Sequence, residues 1–269
     1  MSSWLNLHKW VVKYCDCDDP NLRNINPYIN ECGINHPTTT GVTALHFAVV
    51  GEQTIVAEFL LQKGASPNLP DDIGATPLHW ACRCGSKQIV EELLECGGEI
   101  DQLDLENRSP LHYAVEAGNV EVVKLLLERG TNCVEKRDLD GFTPLAVACR
   151  EEETDVVRLL LRHNAKYKEL VLESIKQDNQ HTVRMLIECD IDCDNIDTSQ
   201  NKTPLHFAVQ YNSYKTAKLL SNVKNFLKTK DANGLLPKDL LTRSSDPRLV
   251  HMLKPKKQMK ISNPFSKLS

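Results

Sequence analysis

Apolar residues in this chain fall into short blocks separated by polar, turn-forming stretches, and the blocks come in pairs. The first member of each pair reads TALHFAV at 43, TPLHWAC at 76, SPLHYAV at 109, TPLAVAC at 143 and TPLHFAV at 203. The second follows about 15 residues later: EFLLQKG (58–64), ELLECGG (92–98), LLLERG (125–130), LLLRHN (159–164) and AKLLSN (217–222). Within each block the apolar positions recur at helical spacing, so each pair predicts two short amphipathic helices. Thr or Ser before Pro marks the start of the first helix: the hydroxyl caps, and Pro sits where its missing N–H costs nothing. Gly51, Gly85 and Gly118 are expected to end the first helices, and Gly64, Gly97 and Gly130 the second, by turning left-handed. Between pairs lie the turns DDIGAT, DLENRS, DLDGFT and DANGLL, with Gly or Asn where a positive φ is required.

The first blocks are spaced 33, 33 and 34 residues apart. One helix pair cannot bury its own apolar face, whereas stacked neighbours can, so the period predicts a core running down a one-dimensional array. T-P-L-H-x-A at this spacing, with LLLERG and the DxxG turns, resembles the ankyrin repeat over roughly residues 10–250. The resemblance implies an all-α solenoid of about six or seven stacked helix-turn-helix units with β-hairpin fingers, whose concave surface binds other proteins. We place regular repeats at 38–70, 71–103, 104–137 and 138–166, after a degenerate first unit at about 10–36, with Trp4 and Trp10 covering the exposed edge of the core. A repeat with a shortened finger follows at 167–197, then a repeat at 198–230 and a closing cap at 231–252, the solenoid spanning 1–252. DVVRLLL (155–161) and HTVRMLI (181–187) are only 26 residues apart, so one finger is missing there; this is either drift that a solenoid tolerates or a hinge between 1–166 and 167–252. Residues 253–269 read as a flexible basic tail.

The stretch TPLHWACRCG (76–85) holds His79, Cys82 and Cys84 within six residues and invites a metal reading. The columns argue for structure instead. His79 aligns with His46, His112 and His206, one repeat apart, and helices stacked about 8–10 Å apart do not share one ion. In the family this His bonds neighbouring backbone and turn groups. Cys82 aligns with Val49, Val115, Cys149 and Val209 as a small core residue, and Cys133 and Cys193 share the column of Ile100. DIDCDN (190–195) opens like a calcium loop but has Asn195 where Gly belongs and Asn201 where a bidentate Glu belongs. We therefore expect no metal site and no cofactor.

Composition narrows the function classes. At 269 residues, 41% hydrophobic and 25% charged, the chain suits a soluble globular protein. It has no apolar run of about eighteen residues and no secretion-type leader in MSSWLNLHKWVVKYC. We expect an intracellular protein, cytoplasmic and/or nuclear, with its ten cysteines reduced. Residues 253–269 hold five lysines and no acid, so residues 1–252 carry −9 against −4 for the whole chain. That balance argues against general nucleic-acid binding. The sequence motifs of phosphate loops, nucleophile elbows, zinc proteases and kinases do not occur, so no catalytic residue is assigned and a non-enzyme is expected.

Candidate binding residues are those the architecture leaves exposed. Ile73, Leu105, Leu139 and Phe142 are apolar residues in turn positions that local structure would fill with polar ones, so they point to a protein interface. Trp80, Tyr113, Phe47 and Phe207 form one column on the first helices. Asp72, Arg83, Glu106, Arg108, Asp140 and Arg150 surround them and would supply specificity. Asn68 occupies a position that the resemblance marks as an occasional hydroxylation site. Asn263, Pro264 and Phe265 spell a tripeptide similar to the one EH domains recognise. The expected function is a protein-binding module or adaptor, monomeric alone, whose partner is another protein. The alternative is a regulatory or pathogen-delivered effector that inhibits or redirects its target by occlusion.

Overall fold

A computed structural model describes residues 33–253, apart from 190, 192–195, 197, 198, 224 and 243. The expected first unit with Trp4 and Trp10, the DIDCDN stretch with Cys193, and the tail with Asn263, Pro264 and Phe265 lie outside the described residues. Thirteen α-helices are present among the described residues: α1 (Ala44–Val50), α2 (Thr54–Gln62), α3 (Pro77–Cys84), α4 (Lys87–Glu95), α5 (Pro110–Glu116), α6 (Val120–Glu128), α7 (Pro144–Arg150), α8 (Thr154–Arg162), α9 (Lys168–Lys176), α10 (Gln180–Glu188), α11 (Pro204–Gln210), α12 (Tyr214–Leu220) and α13 (Pro247–Leu253). Two short 3₁₀ helices, Cys133–Glu135 and Pro237–Leu240, complete the set. The fold is an all-α repeat solenoid. Among the described residues, those up to Tyr167 form one compact unit and those from Lys168 on another, and the chain passes from α8 to α9 without a finger.

In the first unit α1, α3, α5 and α7 pack side by side as an inner row, with α2, α4, α6 and α8 as an outer row behind it. The facing stripes form the core: Leu45, Leu78, Leu111 and Leu145 from the inner helices, and Leu60, Leu93, Leu126 and Leu160 from the outer, are all at most 1% exposed. Each such leucine contributes about 1.5–3 kcal/mol by leaving water. Within the second unit α9 packs against α10 and α11, and α12 against α10, α11 and α13.

The helix starts follow the sequence signal with one refinement. In α7, Thr143 Oγ1 accepts from the Ala146 N–H at 3.3 Å, as a lone cap should. Where His stands three residues on, the cap is reciprocal: the Thr76 N–H donates to His79 Nδ1 at 3.1 Å and the Thr76 hydroxyl meets the same atom at 2.9 Å. Since Nδ1 accepts from a backbone N–H, the neutral ring carries its proton on Nε2. That Nε2–H donates to the Arg108 carbonyl at 3.3 Å, and His46 and His206 reach Ala75 and Leu235 in the same way. Each of these three His residues thus ties its helix to the turn of the next repeat. In the closing cap Asp239 takes the place of His, accepting from the Leu236 N–H at 3.0 Å.

Three expectations are corrected. The fingers are tight turns: no β-strand forms among the described residues, and each turn closes by one pair of backbone bonds, such as Asp71 N–H to Ala75 O at 3.0 Å. Gly51 is right-handed at φ −80, and the left-handed residue is Glu52 at φ 53. That position lies nine residues after the cap throughout, at Glu52, Gly85, Gly118, Glu152 and Asn212, and Gly51 falls one residue short of it. The third correction concerns Tyr113 and is given below. Gly64, Gly97 and Gly130 do end the outer helices with positive φ, and Asn164 does so after α8.

Candidate interaction surface

Finger rigidity comes from the first residue of each turn. Asp71 Oδ1 accepts from the Ile73 and Ala75 N–H groups at 3.1 and 2.9 Å, and Asp104 Oδ1 from those of Glu106 and Arg108 at 2.9 and 2.8 Å. Asp138 Oδ1 accepts from the Phe142 N–H at 2.7 Å. Successive fingers are then joined by single backbone bonds: Asp72 N–H to Thr40 O at 3.1 Å, Leu105 N–H to Ile73 O at 2.9 Å and Leu139 N–H to Glu106 O at 2.9 Å. This ladder fixes the spacing of the tips. Ile73, Leu105, Leu139 and Phe142 are 44%, 71%, 70% and 38% exposed, so four apolar side chains line up on a backbone that cannot easily relax to bury them.

Behind the tips the inner helices carry aromatic rings with basic partners. Trp80 is half-buried, donates from Nε1 to Asp71 Oδ2 at 2.9 Å, and has the Arg83 guanidinium 5.9 Å from its ring. Arg108 is held by Asp104 at 2.9 Å and Glu106 at 3.2 Å, with its guanidinium 4.9 Å over the Tyr113 ring. Exposed Arg150 covers Phe142 at 5.2 Å and bonds Glu151 at 2.8 Å. Asp72, Arg83, Glu106 and Asp140 are exposed. Tyr113 is not available to a partner: it is fully buried, its hydroxyl donates to Asp104 Oδ2 at 2.9 Å, and burial followed by that bond raises its pKa. The ring supports Arg108 from beneath instead of meeting a ligand.

Asn68 lies away from this face. Its amide donates to the Gly97 carbonyl at 2.9 Å while its Oδ1 accepts from the Glu99 N–H at 2.9 Å, so both ends join one repeat to the next. His79 uses both ring nitrogens, Cys82 is fully buried with its thiol pKa pushed up by burial, and Cys84 is half-buried. Among the described residues no group of three or more His, Cys, Asp or Glu is placed to hold a metal ion, and no helix is long and apolar enough to cross a membrane.

Between the third and fourth fingers a cavity of about 270 Å³ is lined by Arg108, His112, Asp138, Val147 and Arg150 among others. Sequence reasoning passed over His112, Asp138 and Val147. Its signal was nonetheless present, because Val147 breaks the aromatic column of Phe47, Trp80 and Tyr113. His112 keeps the cap of its column: it is buried, its Nδ1 accepts from the Ser109 N–H at 3.2 Å, and its Nε2 faces the Phe142 and Lys136 carbonyls. The 34-residue interval falls here, and the added residue accompanies the 3₁₀ turn Cys133–Glu135.

Comparison with curated proteins gives no match. The family described as ankyrin repeats (3 copies) matches residues 15–104, 85–171 and 170–231. Matched over most of its length, and built of capped helix pairs joined by turn fingers, the chain belongs to the ankyrin-repeat family, whose members generally act as protein–protein interaction modules.

Proposed function

We propose that this protein is a non-enzymatic binding module that grips a partner protein with the finger tips and inner helices of the repeats at 71–166. The observation that carries the reading is the row Ile73, Leu105, Leu139 and Phe142, exposed at turn positions that nothing in the local fold requires to be apolar. Because the tips are tied to one another through the backbone, they are preorganised, and association orders little that is not ordered already. Exposed Asp72, Arg83, Glu106, Asp140 and Arg150 frame the apolar row with both signs of charge, the arrangement of an apolar centre with a polar rim.

Affinity capture tests this. Leu139→Asp with Phe142→Asp should weaken partner retention by about thirtyfold or more, as loss of interface anchors does. The melting temperature should stay within about 2 °C of the parent, because surface changes cost at most about 0.5 kcal/mol. Equal retention by the double variant, or loss only in step with unfolding, would overturn the assignment.

A further inference from the structure

Charge is divided unevenly between the two compact units. Residues 33–167 hold 21 carboxylates against 12 lysines and arginines, a net −9, whereas residues 168–269 carry +6. The apolar finger tips therefore project from the acidic unit. Three of the tips also have an exposed carboxylate as chain neighbour: Ile73 follows Asp72, Leu105 precedes Glu106 and Leu139 precedes Asp140. The cavity of about 270 Å³ between the third and fourth fingers has Leu139 in its wall and adds Glu116 and Asp138 to the carboxylates there. Its two arginines do not balance these groups. Arg108 is engaged by Asp104 at 2.9 Å and Glu106 at 3.2 Å, and Arg150 by Glu151 at 2.8 Å. Glu116, Asp138 and Asp140 form no ion pair among the described residues, so the cavity keeps an unanswered negative charge.

We propose that the finger row of the first unit binds a basic segment of the partner, which lays apolar residues on Leu105, Leu139 and Phe142 and places a lysine or arginine side chain in this cavity. The inference rests on the reading that this face binds protein, and adds the chemistry of the partner. Charge complementarity selects it. An acidic or phosphorylated segment brings like charge to a unit that already carries −9. A neutral apolar segment covers Glu116, Asp138 and Asp140 without pairing them, and desolvating an unpaired carboxylate is costly. Nucleic acid is repelled for the first of these reasons. A long cationic side chain suits the mixed wall: its methylene stem lies against Leu139 and Val147 while its head meets the carboxylates. A volume of 270 Å³ falls below the roughly 300–1,000 Å³ of drug-sized pockets and suits the insertion of one side chain.

Fluorescence anisotropy on the full chain tests this with three labelled peptides of one length and one leucine content, whose other positions are lysine and arginine, serine, or glutamate. At low salt the basic peptide should bind at least about tenfold more tightly than the serine peptide, lose most of that advantage in about 1 M salt, and leave the glutamate peptide weakest. Glu116→Gln with Asp140→Asn, isosteric changes at groups without an ion pair, should weaken the basic peptide about five- to tenfold and leave the serine peptide unchanged. Glu121→Gln with Asp155→Asn removes the same charge from exposed positions on α6 and α8 of the outer row and should shift neither peptide by more than about twofold. Equal binding of the basic and serine peptides, a preference for glutamate, or equal weakening by the two double variants would each overturn the proposal. Binding that appears only once residues 254–269 are removed would assign the face to the chain's own lysine-rich end and overturn it as well. If lysate proteins lost with Leu139→Asp/Phe142→Asp are still retained by Glu116→Gln/Asp140→Asn, the binding face stands and the basic partner falls.

Discussion

At the scale of single residues, the histidine column is where chemistry and stability meet. Burial lowers the pKa of His46, His79, His112 and His206, and His79, against which Asp104 and Asp71 work only in part, falls from the ordinary 6.5 to about 4. The folded ring is therefore neutral at a pH where the unfolded chain already takes up a proton. Stability from this group is complete above pH 6.5 and declines as pH falls toward about 4, where the folded ring also protonates. His79 alone should account for about 2 kcal/mol lost between pH 8 and pH 5. Urea midpoints measured across that range should fall steadily, and His79→Asn should flatten the fall by that amount whatever it costs at pH 8. A midpoint indifferent to pH in the parent would mean that these rings can be charged in place.

Among elements, the fingers show what one glycine does. Gly74 has φ +81, and a Cβ there would lie 2.7 Å from the Leu105 backbone nitrogen, the group that bonds Ile73 O. Gly141 has φ +85 in the matching place but nothing within 4 Å. Gly141→Ala should therefore cost only the left-handed penalty, about 1 kcal/mol. Gly74→Ala adds a backbone clash and should cost at least twice that in chemical denaturation, with altered amide shifts at Leu105. Gly141→Asn should be nearly neutral, since Asn107 holds φ 64 in the neighbouring finger. The finger turns were legible in the sequence because each is set by a few adjacent residues, Asp first and Gly or Asn fourth. The helix pairs were legible for the same reason, through Thr-Pro and the outer-helix glycines. Exposure of Leu139 and Phe142 followed from their place in those turns. The burial of Tyr113 and the cavity beside Val147 were hidden, because each depends on how a finger meets the helix that follows it: Asp104 and Arg108 close over Tyr113, while Val147 leaves open a cavity lined by Arg108, His112 and Asp138.

For the whole molecule, stability in a repeat array is a sum of units and the interfaces between neighbours, so damage should travel by contact and not by distance along the chain. Leu126 in α6 is fully buried, and α6 packs against α4 on one side and α8 on the other. Leu126→Ala removes apolar contact and leaves a cavity, which should cost about 2–5 kcal/mol. Hydrogen exchange should then accelerate in α6 itself and in α4, α5 and α8, which touch it. α2 packs on α4 but is not among the helices in substantial contact with α6. Its amides should stay closer to parental rates, even though it belongs to the same compact unit. A uniform acceleration from α1 to α8 would show instead that the unit opens as one cooperative block. In that case preorganisation of the finger tips depends on the whole unit, and core mutations far from Leu139 would weaken partner binding as strongly as mutations beneath it.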